Sequence, residues 1–180
     1  MRVITGKARG VVLKTPEGLQ TRPTADRVKE ALFSIIQFDL PGAKVLDLFG
    51  GTGQLGIEAL SRGAESAVFV DAGEPACRLI KENLKRTRLE NFAKVVRSDY
   101  LQYLQHCKDK FDIIFLDPPY AEVFLEKSLK MITEIDILQS GGIIVAERPV
   151  EKKLELELAG YTRSRDYKYG KTLLAIYRKL

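Results

Sequence analysis

The sequence predicts an α/β domain built on a mostly parallel sheet, and two observations carry this prediction. Apolar segments of strand length alternate with segments whose apolar residues recur at helical spacing, from about residue 43 to residue 147. The strand segments are apolar nearly throughout, which is typical of parallel strands covered by helices on both faces. The 180 residues suffice for one domain with a sizeable core.

The elements of this core follow one another in a regular order. The strand segments are 43–49, 66–71, 93–99, 111–117 and 141–147. The helical segments between them are 55–63, 74–87, a short one near 100–107 and one near 122–134. Gly63 is placed to end the first helix, and in the second Ala76, Ile80 and Leu84 fall on one face.

The two ends of the chain depart from this alternation. Near the C-terminus, "YTRSRDYKY" and "KTLLAIYRK" flank Gly170 and predict an antiparallel hairpin. At the N-terminus, "RVIT" and "VVLK" flank "GKARG" and predict a second hairpin. Thr24 is predicted to cap a following helix whose Val28 and Leu32 lie on its buried face. We therefore divide the chain into a hairpin-and-helix extension, 1–42, and a core, 43–180.

Composition excludes several classes of protein. The chain is 45% hydrophobic and 29% charged, as globular proteins are. Its longest apolar runs are about five residues, against the ~18 to 20 that a membrane span requires, so no membrane association is expected. The start lacks the apolar region of a secretory signal, which makes the cytoplasm the expected location. Cys77, Cys107 and His106 lack metal-ligand spacing, so no metal is expected.

Positive charge is concentrated at the two ends of the chain. The net charge of +5 divides into +4 for residues 1–30, +4 for residues 151–180 and −3 for the 120 residues between them. Basic ends around a slightly acidic body favour a polyanionic partner that touches the termini. Ordinary solvated charge is the alternative at this stage.

A glycine-rich loop follows the first core strand. In "DLFGGTGQLG", Gly51, Gly53 and Gly56 satisfy GxGxxG, a pattern shared by dinucleotide enzymes and other nucleoside-cofactor folds. Asp47 precedes this loop, where a carboxylate would repel a pyrophosphate but suits a ligand with an ammonium and a sulfonium. S-adenosylmethionine is such a ligand, and its own carboxylate can use the amides at the helix N-terminus. Phe49 belongs to the same predicted cofactor loop.

Two further acids end the next two strands. Asp71 lies twenty residues after Gly51, where an acid can accept both ribose hydroxyls. Asp99 could accept from the adenine amino group. Together with Asp47 and the Gly50 backbone, these residues predict an adenosine-bearing cofactor across the carboxyl edge of the sheet. That the acids are simply turn residues remains open, above all for Asp99.

The fourth core strand ends in "FDIIFLDPPY". Two consecutive prolines hold a rigid turn, and the carbonyl oxygens of this turn are free to accept hydrogen bonds. Asp117 and the Pro118 carbonyl could each accept one hydrogen of a planar exocyclic amine, which would aim the nitrogen lone pair at a methyl sulfonium. Pro119 fixes the turn and Tyr120 offers a ring on which a base can stack. The pattern predicts an amino-methyltransferase, with a plain proline-rich turn as the alternative.

At this point the chain resembles a known family. "RVITGKARG", "RPTADRVKEALF", "DLFGGTGQLGIEALSRGA" and "DPPY" are similar, in the same order from residue 2 to about 120, to the RsmD family of 16S rRNA guanine-N2 methyltransferases. A weaker similarity continues in "YGKTLLAIYRK". The resemblance implies a class I SAM-dependent methyltransferase fold, Rossmann-like, whose mostly parallel sheet has seven strands, one of them antiparallel. It also implies methyl transfer from S-adenosylmethionine to the N2 amine of one guanine in 16S rRNA.

The resemblance also carries residue roles over to this sequence. The catalytic residues it implies are Asp117, Pro118, Pro119 and Tyr120; those around the cofactor are Asp47, Phe49, Gly50, Gly51, Gly53, Asp71 and Asp99. Candidate RNA contacts are Arg2, Lys7, Arg9, Arg22 and Arg27 in the N-terminal extension, and Lys168 and Lys171 in the C-terminal hairpin. The implied partner is 16S rRNA in the small ribosomal subunit or its assembly intermediate, bound by a monomer. "VDAGEPA" departs from the family pattern at Gly73, which makes the ribose contact less secure than the catalytic motif.

Three alternatives to this function remain open. The same chemistry could serve another acceptor, a DNA adenine N6 amine or a protein glutamine amide. The small chain has little room for a region that reads and flips a base in duplex DNA, which favours an exposed RNA base. A nicotinamide-dependent oxidoreductase is disfavoured by Asp47 beside the glycine loop. A non-catalytic RNA-binding or assembly module is disfavoured by the intact DPPY motif.

Overall fold

An eight-stranded sheet flanked by helices runs through the computed structural model of the chain, which describes residues 1–16, 23–119, 121–152 and 157–180. The strands are β1 (Lys44–Asp47), β2 (Ser66–Asp71), β3 (Ala93–Arg97), β4 (Phe111–Leu116), β5 (Leu138–Pro149), β6 (Tyr161–Arg163), β7 (Tyr167–Tyr169) and β8 (Thr172–Lys179). The α-helices are α1 (Pro23–Ile35), α2 (Gln54–Ser61), α3 (Glu74–Thr87), α4 (Tyr100–His106) and α5 (Ala121–Ile135). Within the described ranges, no helix has the length and apolar character needed to cross a membrane.

The strand order confirms the predicted fold class. The sheet runs β3-β2-β1-β4-β5-β8-β6, with β7 also paired to β8. The first five strands are parallel, and β8 is antiparallel to β5. The sheet is therefore seven strands wide, as expected, but β6 and β7 share the last position. They are separate because Ser164 interrupts the edge: its hydroxyl, rather than a backbone carbonyl, accepts from the Ile176 amide at 3.1 Å.

The two faces of the sheet bury two separate hydrophobic clusters. Val45, Phe115 and Val145 face the cluster beneath α1, α2 and α3, whereas their neighbours Leu46 and Ile114 face the cluster beneath α4 and α5. Side chains alternate between the faces of a strand, so covering both faces requires apolar residues at successive positions. This explains the continuous apolar runs of the sequence.

One predicted helix start is wrong. α1 begins at Pro23, so Thr24 lies inside the first turn and does not cap the helix. Proline is favoured at the first helical position because its fixed φ suits the helix and its missing N–H would have no helical partner there. β5 also begins at Leu138, three residues before the predicted strand.

The first fourteen residues pack along α2 and α3. The Val3 amide donates to the Val11 carbonyl at 3.0 Å, and the Leu13 amide donates to the Met1 carbonyl at 3.0 Å, which gives the hairpin-like course expected. Val3 and Leu13 are 1% and 3% exposed and belong to the same cluster as β1 and β4. The N-terminal segment thus contributes to the core of the domain.

Candidate active site

The carboxyl ends of β1, β2, β4 and β5 meet at one edge of the sheet, here called the carboxyl edge. Each of these strands ends at or beside an acid: Asp47, Asp71, Asp117 and Glu147. The register pairs Asp47 with Phe69 and Phe115, and Leu116 with Ala146, so Asp71, Asp117 and Glu147 all lie about two rows beyond Asp47 at this edge. A cluster of buried or half-buried carboxylates is costly in the absence of a cationic or hydrogen-donating ligand, and therefore marks a candidate binding site.

Asp47 is buried at the base of this edge. It is 2% exposed, and its Oδ2 accepts a hydrogen bond from the Gly56 amide, in the first turn of α2, at 3.1 Å. Burial raises the pKa of Asp47 to about 7; the Gly56 amide opposes this, and the charges of Asp117 and Asp71 add to it. A cationic ligand group placed here would favour the ionised carboxylate.

The glycine loop is held close to the sheet. Gly51 and Gly53 have φ of 55° and 81°, a region that side chains rarely adopt. The Gly50 amide donates to the Val70 carbonyl at 2.8 Å and joins the loop to β2. A Cβ on Gly56 would lie 2.3 Å from Phe69 Cε1, so the absence of a side chain there lets α2 pack directly on the sheet.

Asp71 is oriented by the backbone on both sides. Its Oδ2 accepts from the Gly51 amide at 2.9 Å and its Oδ1 from the Gly73 amide at 2.8 Å. Gly73, the departure from the family pattern, therefore holds the acid through a backbone N–H that most other residues would also supply. Each carboxylate oxygen has a second lone pair, which leaves capacity for the two ribose hydroxyls predicted there.

Asp99 has a structural role in addition to the one predicted from the sequence. Its Oδ1 accepts from the Leu101 amide at 2.9 Å and from the Gln102 amide at 3.3 Å, which caps α4. The turn-residue alternative therefore describes this side chain correctly. Its contact with adenine stays a prediction.

The DPPY motif leaves β4 at the carboxyl edge, directly after Leu116. Asp117 is half-buried, Pro118 is buried and Pro119 is exposed. Burial raises the pKa of Asp117 to about 6. Tyr120, predicted as the stacking ring, lies outside the described residues.

An aromatic cluster lies beside this turn. The Phe49 ring is 5.2 Å from that of Tyr100 and 6.2 Å from that of Phe124, and the Phe49 and Phe124 planes differ by 2°. Phe49, predicted to line the cofactor loop, thus packs against α4 and α5. The cluster gives the carboxyl edge an apolar wall suited to a planar ring. Phe124 carries no signal in the sequence beyond its place in a helix.

Glu147 is a further member of the site that the sequence analysis missed. It lies near the end of β5, and burial, followed by the charge of Asp117, raises its pKa to about 8. The signal was present in "GGIIVAE", which ends in an acid as the segments ending in Asp71 and Asp117 do. No group of three or more His, Cys, Asp or Glu side chains in the described ranges has the arrangement of a metal site.

The predicted RNA-contact residues fall into two groups. Lys168 and Lys171 are exposed around the β7–β8 turn at the carboxyl edge, since Thr172 pairs with the end of β5 at Pro149. Arg27 is exposed in the first half of α1. α1 runs in the same direction as α2, because Lys29 contacts Glu58 and Phe33 contacts Arg62 one turn later. The start of α1 therefore also lies towards the carboxyl edge. Arg2 lies near it, because its carbonyl accepts a hydrogen bond from Lys29 of α1.

Lys7 and Arg9 form the second group, at the opposite edge. The Lys7 amide donates to the Ser61 carbonyl, at the end of α2 farthest from Asp47, at 2.8 Å. The Lys7 ammonium lies 5.8 Å from the centre of the Phe92 ring, just before β3 begins. The N-terminal motif thus spans the sheet from edge to edge. Arg22 lies outside the described residues.

Comparisons with known proteins agree with this geometry. A family model described as "Conserved hypothetical protein 95" matches residues 1–178. The Bacillus subtilis protein YlbH, whose name proposes an rRNA methyltransferase, is 43% identical and the match covers 99% of each chain. "Ribosomal RNA small subunit methyltransferase D" of Escherichia coli K12 is 31% identical over 99% of this chain and 90% of its own.

Solved structures give the same result. The E. coli protein YhhF, described as a methyltransferase candidate, superposes with a TM-score of 0.90 at 30% identity, covering 99% of this chain and 97% of its own. A Haemophilus influenzae protein described as a methylase candidate superposes with a TM-score of 0.84 at 28% identity, over 99% of this chain and 98% of its own. The similarity therefore extends over the whole fold, including the N-terminal segment.

Proposed function

The chain belongs to the RsmD family of rRNA methyltransferases, and from this premise we propose that it transfers a methyl group from S-adenosylmethionine to the N2 amine of a guanine in 16S rRNA. The observation that carries the proposal is the convergence, at one edge of the sheet, of the DPP turn with the acids of β1 and β2. The family supports rRNA methylation; the donor is our inference from the site, and the guanine N2 amine is what the resemblance to the RsmD family implies.

The residues present fit the proposed donor. The buried Asp47 would bind its ammonium, and Asp71, fixed between the Gly51 and Gly73 amides, would accept from its ribose hydroxyls. When bound, the cofactor supplies a methyl group made electrophilic by a sulfonium. The glycine loop allows close backbone approach at the start of α2, where free amides favour a carboxylate.

The work of the chain itself is to hold the accepting amine. The lone pair of an exocyclic amine is delocalised into the base, which makes the nitrogen a poor nucleophile. Asp117 and the Pro118 carbonyl would each accept one amine hydrogen and favour the pyramidal geometry that frees the lone pair. Tyr120 and the aromatic wall of Phe49 and Phe124 would hold the ring of the base.

The proposed partner is 16S rRNA in the small ribosomal subunit or its assembly intermediate. The exposed cations at the carboxyl edge, Arg2, Arg27, Lys168 and Lys171, are placed to contact phosphates around the target base. Arg22 is a candidate because it lies in an N-terminal motif of the family. Lys7 and Arg9 could contact the RNA only if it reached the opposite edge of the sheet.

The test is a transfer assay with labelled S-adenosylmethionine on small subunits from cells that lack this protein. We expect label in 16S rRNA, with N2-methylguanine identified by mass spectrometry of the digested RNA. Asp117→Ala should lower transfer by at least ~100-fold, as for other groups that act on the reacting atoms. Asp112→Asn is the matched control, because Asp112 lies at the other end of β4 and bonds the Lys44 amide.

Three results would contradict the proposal. Transfer to DNA adenine or to a protein glutamine but not to 16S rRNA would assign the same chemistry to a different acceptor. Tight binding of a nicotinamide dinucleotide, with no binding of S-adenosylhomocysteine, would remove the methyl donor altogether. Full transfer by Asp117→Ala would show that the DPPY turn does not act on the amine.

A further inference from the structure

We propose that Glu147 determines the choice of base, by accepting the N1–H of the target guanine while Asp117 and Pro118 hold its N2 amine. This inference rests on the proposed function and assigns a specificity-determining residue to the same site. Glu147 is absent from the motifs by which the sequence identifies the family.

The sheet places Glu147 directly beside Asp117. Phe115 pairs with Val145 and Leu116 with Ala146, so Asp117 and Glu147 each follow directly after the last paired residues of β4 and β5. Phe115 and Val145 both face the cluster beneath α1, α2 and α3. Neighbouring strands lie about 4.8 Å apart, so the two acids are close enough for the charge of Asp117 to act on Glu147.

Neither carboxylate is engaged by the protein in the part of the chain that the structure describes. The hydrogen bonds and ion pairs there include none from a cation or an amide to Glu147 or to Asp117, although Asp47 and Asp71 each accept backbone N–H donors. Two neighbouring acids without donors repel each other; burial, and after it the charge of Asp117, raises the pKa of Glu147. A ligand with two adjacent N–H groups would relieve the repulsion.

Guanine presents this pair of donors. Its N2 amine and its N1–H are adjacent on the Watson–Crick edge, so one acid can accept from each. In adenine, the ring nitrogen next to the amine carries a lone pair and no hydrogen, so it offers Glu147 no donor. Accepting the guanine N1–H requires the ionised carboxylate, so Glu147, whose pKa is raised to about 8, must release its proton when guanine binds. A site built to accept a hydrogen bond discriminates strongly against a ligand that lacks the donor.

The experiment compares two targets in reconstituted small subunits: guanine and 2-aminopurine at the same position. 2-Aminopurine retains the reacting amine but lacks the hydrogen on N1. We expect the Glu147→Ala enzyme to lose ~10- to 100-fold in kcat/KM on guanine and to keep the wild-type value on 2-aminopurine. The ratio of kcat/KM on guanine to kcat/KM on 2-aminopurine should therefore fall. A purely structural role of Glu147 would not change this ratio.

Glu147→Gln provides a second variant if the alanine variant folds poorly, since glutamine is close to glutamate in size. It keeps an acceptor oxygen but loses the charge, so its preference for guanine should lie between those of the wild type and Glu147→Ala. Glu151→Gln, an exposed acid shortly after β5, is the matched control and should keep the wild-type ratio.

The outcomes separate this inference from the function on which it rests. A wild-type enzyme that methylates guanine, together with Glu147 variants whose substrate ratio is unchanged, overturns the role of Glu147 alone. An equal loss on both substrates also overturns it, because it shows a general effect on the site. No transfer by the wild type to any 16S rRNA guanine rejects the proposed function, and this inference with it.

Discussion

The Lys29 ammonium lies 3.7 Å from the Glu58 carboxylate, and both side chains are almost fully buried. Glu58 also accepts from Arg62 Nε at 2.8 Å and from the amides of Ile4 and Thr5 at 2.9 and 3.0 Å. One buried carboxylate thus joins the N-terminal segment, α1 and α2. It holds the proposed RNA-contact segment against the helix that follows the glycine loop.

We expect Glu58→Gln to destabilise the protein by about 3 to 5 kcal/mol, because it leaves Lys29 buried without its counter-charge. Urea unfolding followed by circular dichroism would measure the change. Glu82→Gln is the matched control, since Glu82 also binds the N-terminal segment, through Lys14 at 2.7 Å, but in an exposed pair. A change at Glu58 no larger than that at Glu82 would show that the buried carboxylate does not hold the segment in place.

A second prediction concerns stability and pH at Glu147. Burial and then the charge of Asp117 raise its pKa to about 8, well above that of an ordinary glutamate, so the folded protein holds a proton that the unfolded chain releases. The resulting stabilisation is complete below the unfolded pKa and is lost as pH rises through the folded one. Glu147→Gln should therefore be more stable than the wild type at about pH 9, with the difference shrinking or reversing at about pH 5.

Thermal unfolding across this pH range measures the effect. Glu151→Gln, whose side chain is exposed, should follow the wild-type curve. Parallel curves for Glu147→Gln and the wild type would mean that Glu147 releases its proton in the folded state as readily as in the unfolded chain.

A third prediction links cofactor affinity to Asp47. Because burial raises its pKa to about 7, binding an ammonium near neutral pH requires the acid to lose a proton. Calorimetry should show the affinity for S-adenosylhomocysteine rising from about pH 5.5 to about pH 8 and then levelling, with proton release to the buffer. Asp47→Asn should bind more weakly and with little pH dependence. A wild-type affinity that is flat over this range would remove Asp47 from the cationic contact.

A fourth prediction separates the two groups of proposed RNA contacts. Charge reversal by Lys171→Glu, at the carboxyl edge, should raise the KM for small subunits several-fold and reduce the salt dependence of binding. Lys7→Glu, at the opposite edge, should have a smaller effect, and both variants should bind S-adenosylhomocysteine as the wild type does. A larger effect at Lys7 would mean that the ribonucleoprotein wraps around the domain.

The sequence predicted the fold because its apolar periodicity is local and strong. The succession of strands and helices along the chain was identifiable in this way, and the glycine loop and the acids at or just after the ends of β1, β2 and β4 were identifiable from their local motifs. Glu147 was missed although it ends the predicted segment 141–147, because an isolated acid gains meaning only when the sheet brings β5 beside β4 and Asp117. The buried Glu58 looked like an ordinary helix residue, since its partners lie 53 and 54 positions away in the chain.

The Thr24 error has a different cause. Threonine is a good cap, and only the backbone conformation shows that Pro23 already belongs to the helix. The split of the last sheet position into β6 and β7 likewise depends on a side-chain contact, between Ser164 and Ile176, that no local pattern reveals.

The acids of the carboxyl edge come from four strands, and the first and last of them, Asp47 and Glu147, are a hundred positions apart in the chain. β4 lies between their strands in the sheet, and contacts between segments so distant in the chain form slowly, because the intervening chain must first close into a loop. A partly formed sheet that contains β1 could hold the glycine loop and still lack the acids that the other strands contribute. Binding of the proposed cofactor during refolding would therefore report that all four strands of the carboxyl edge are in place.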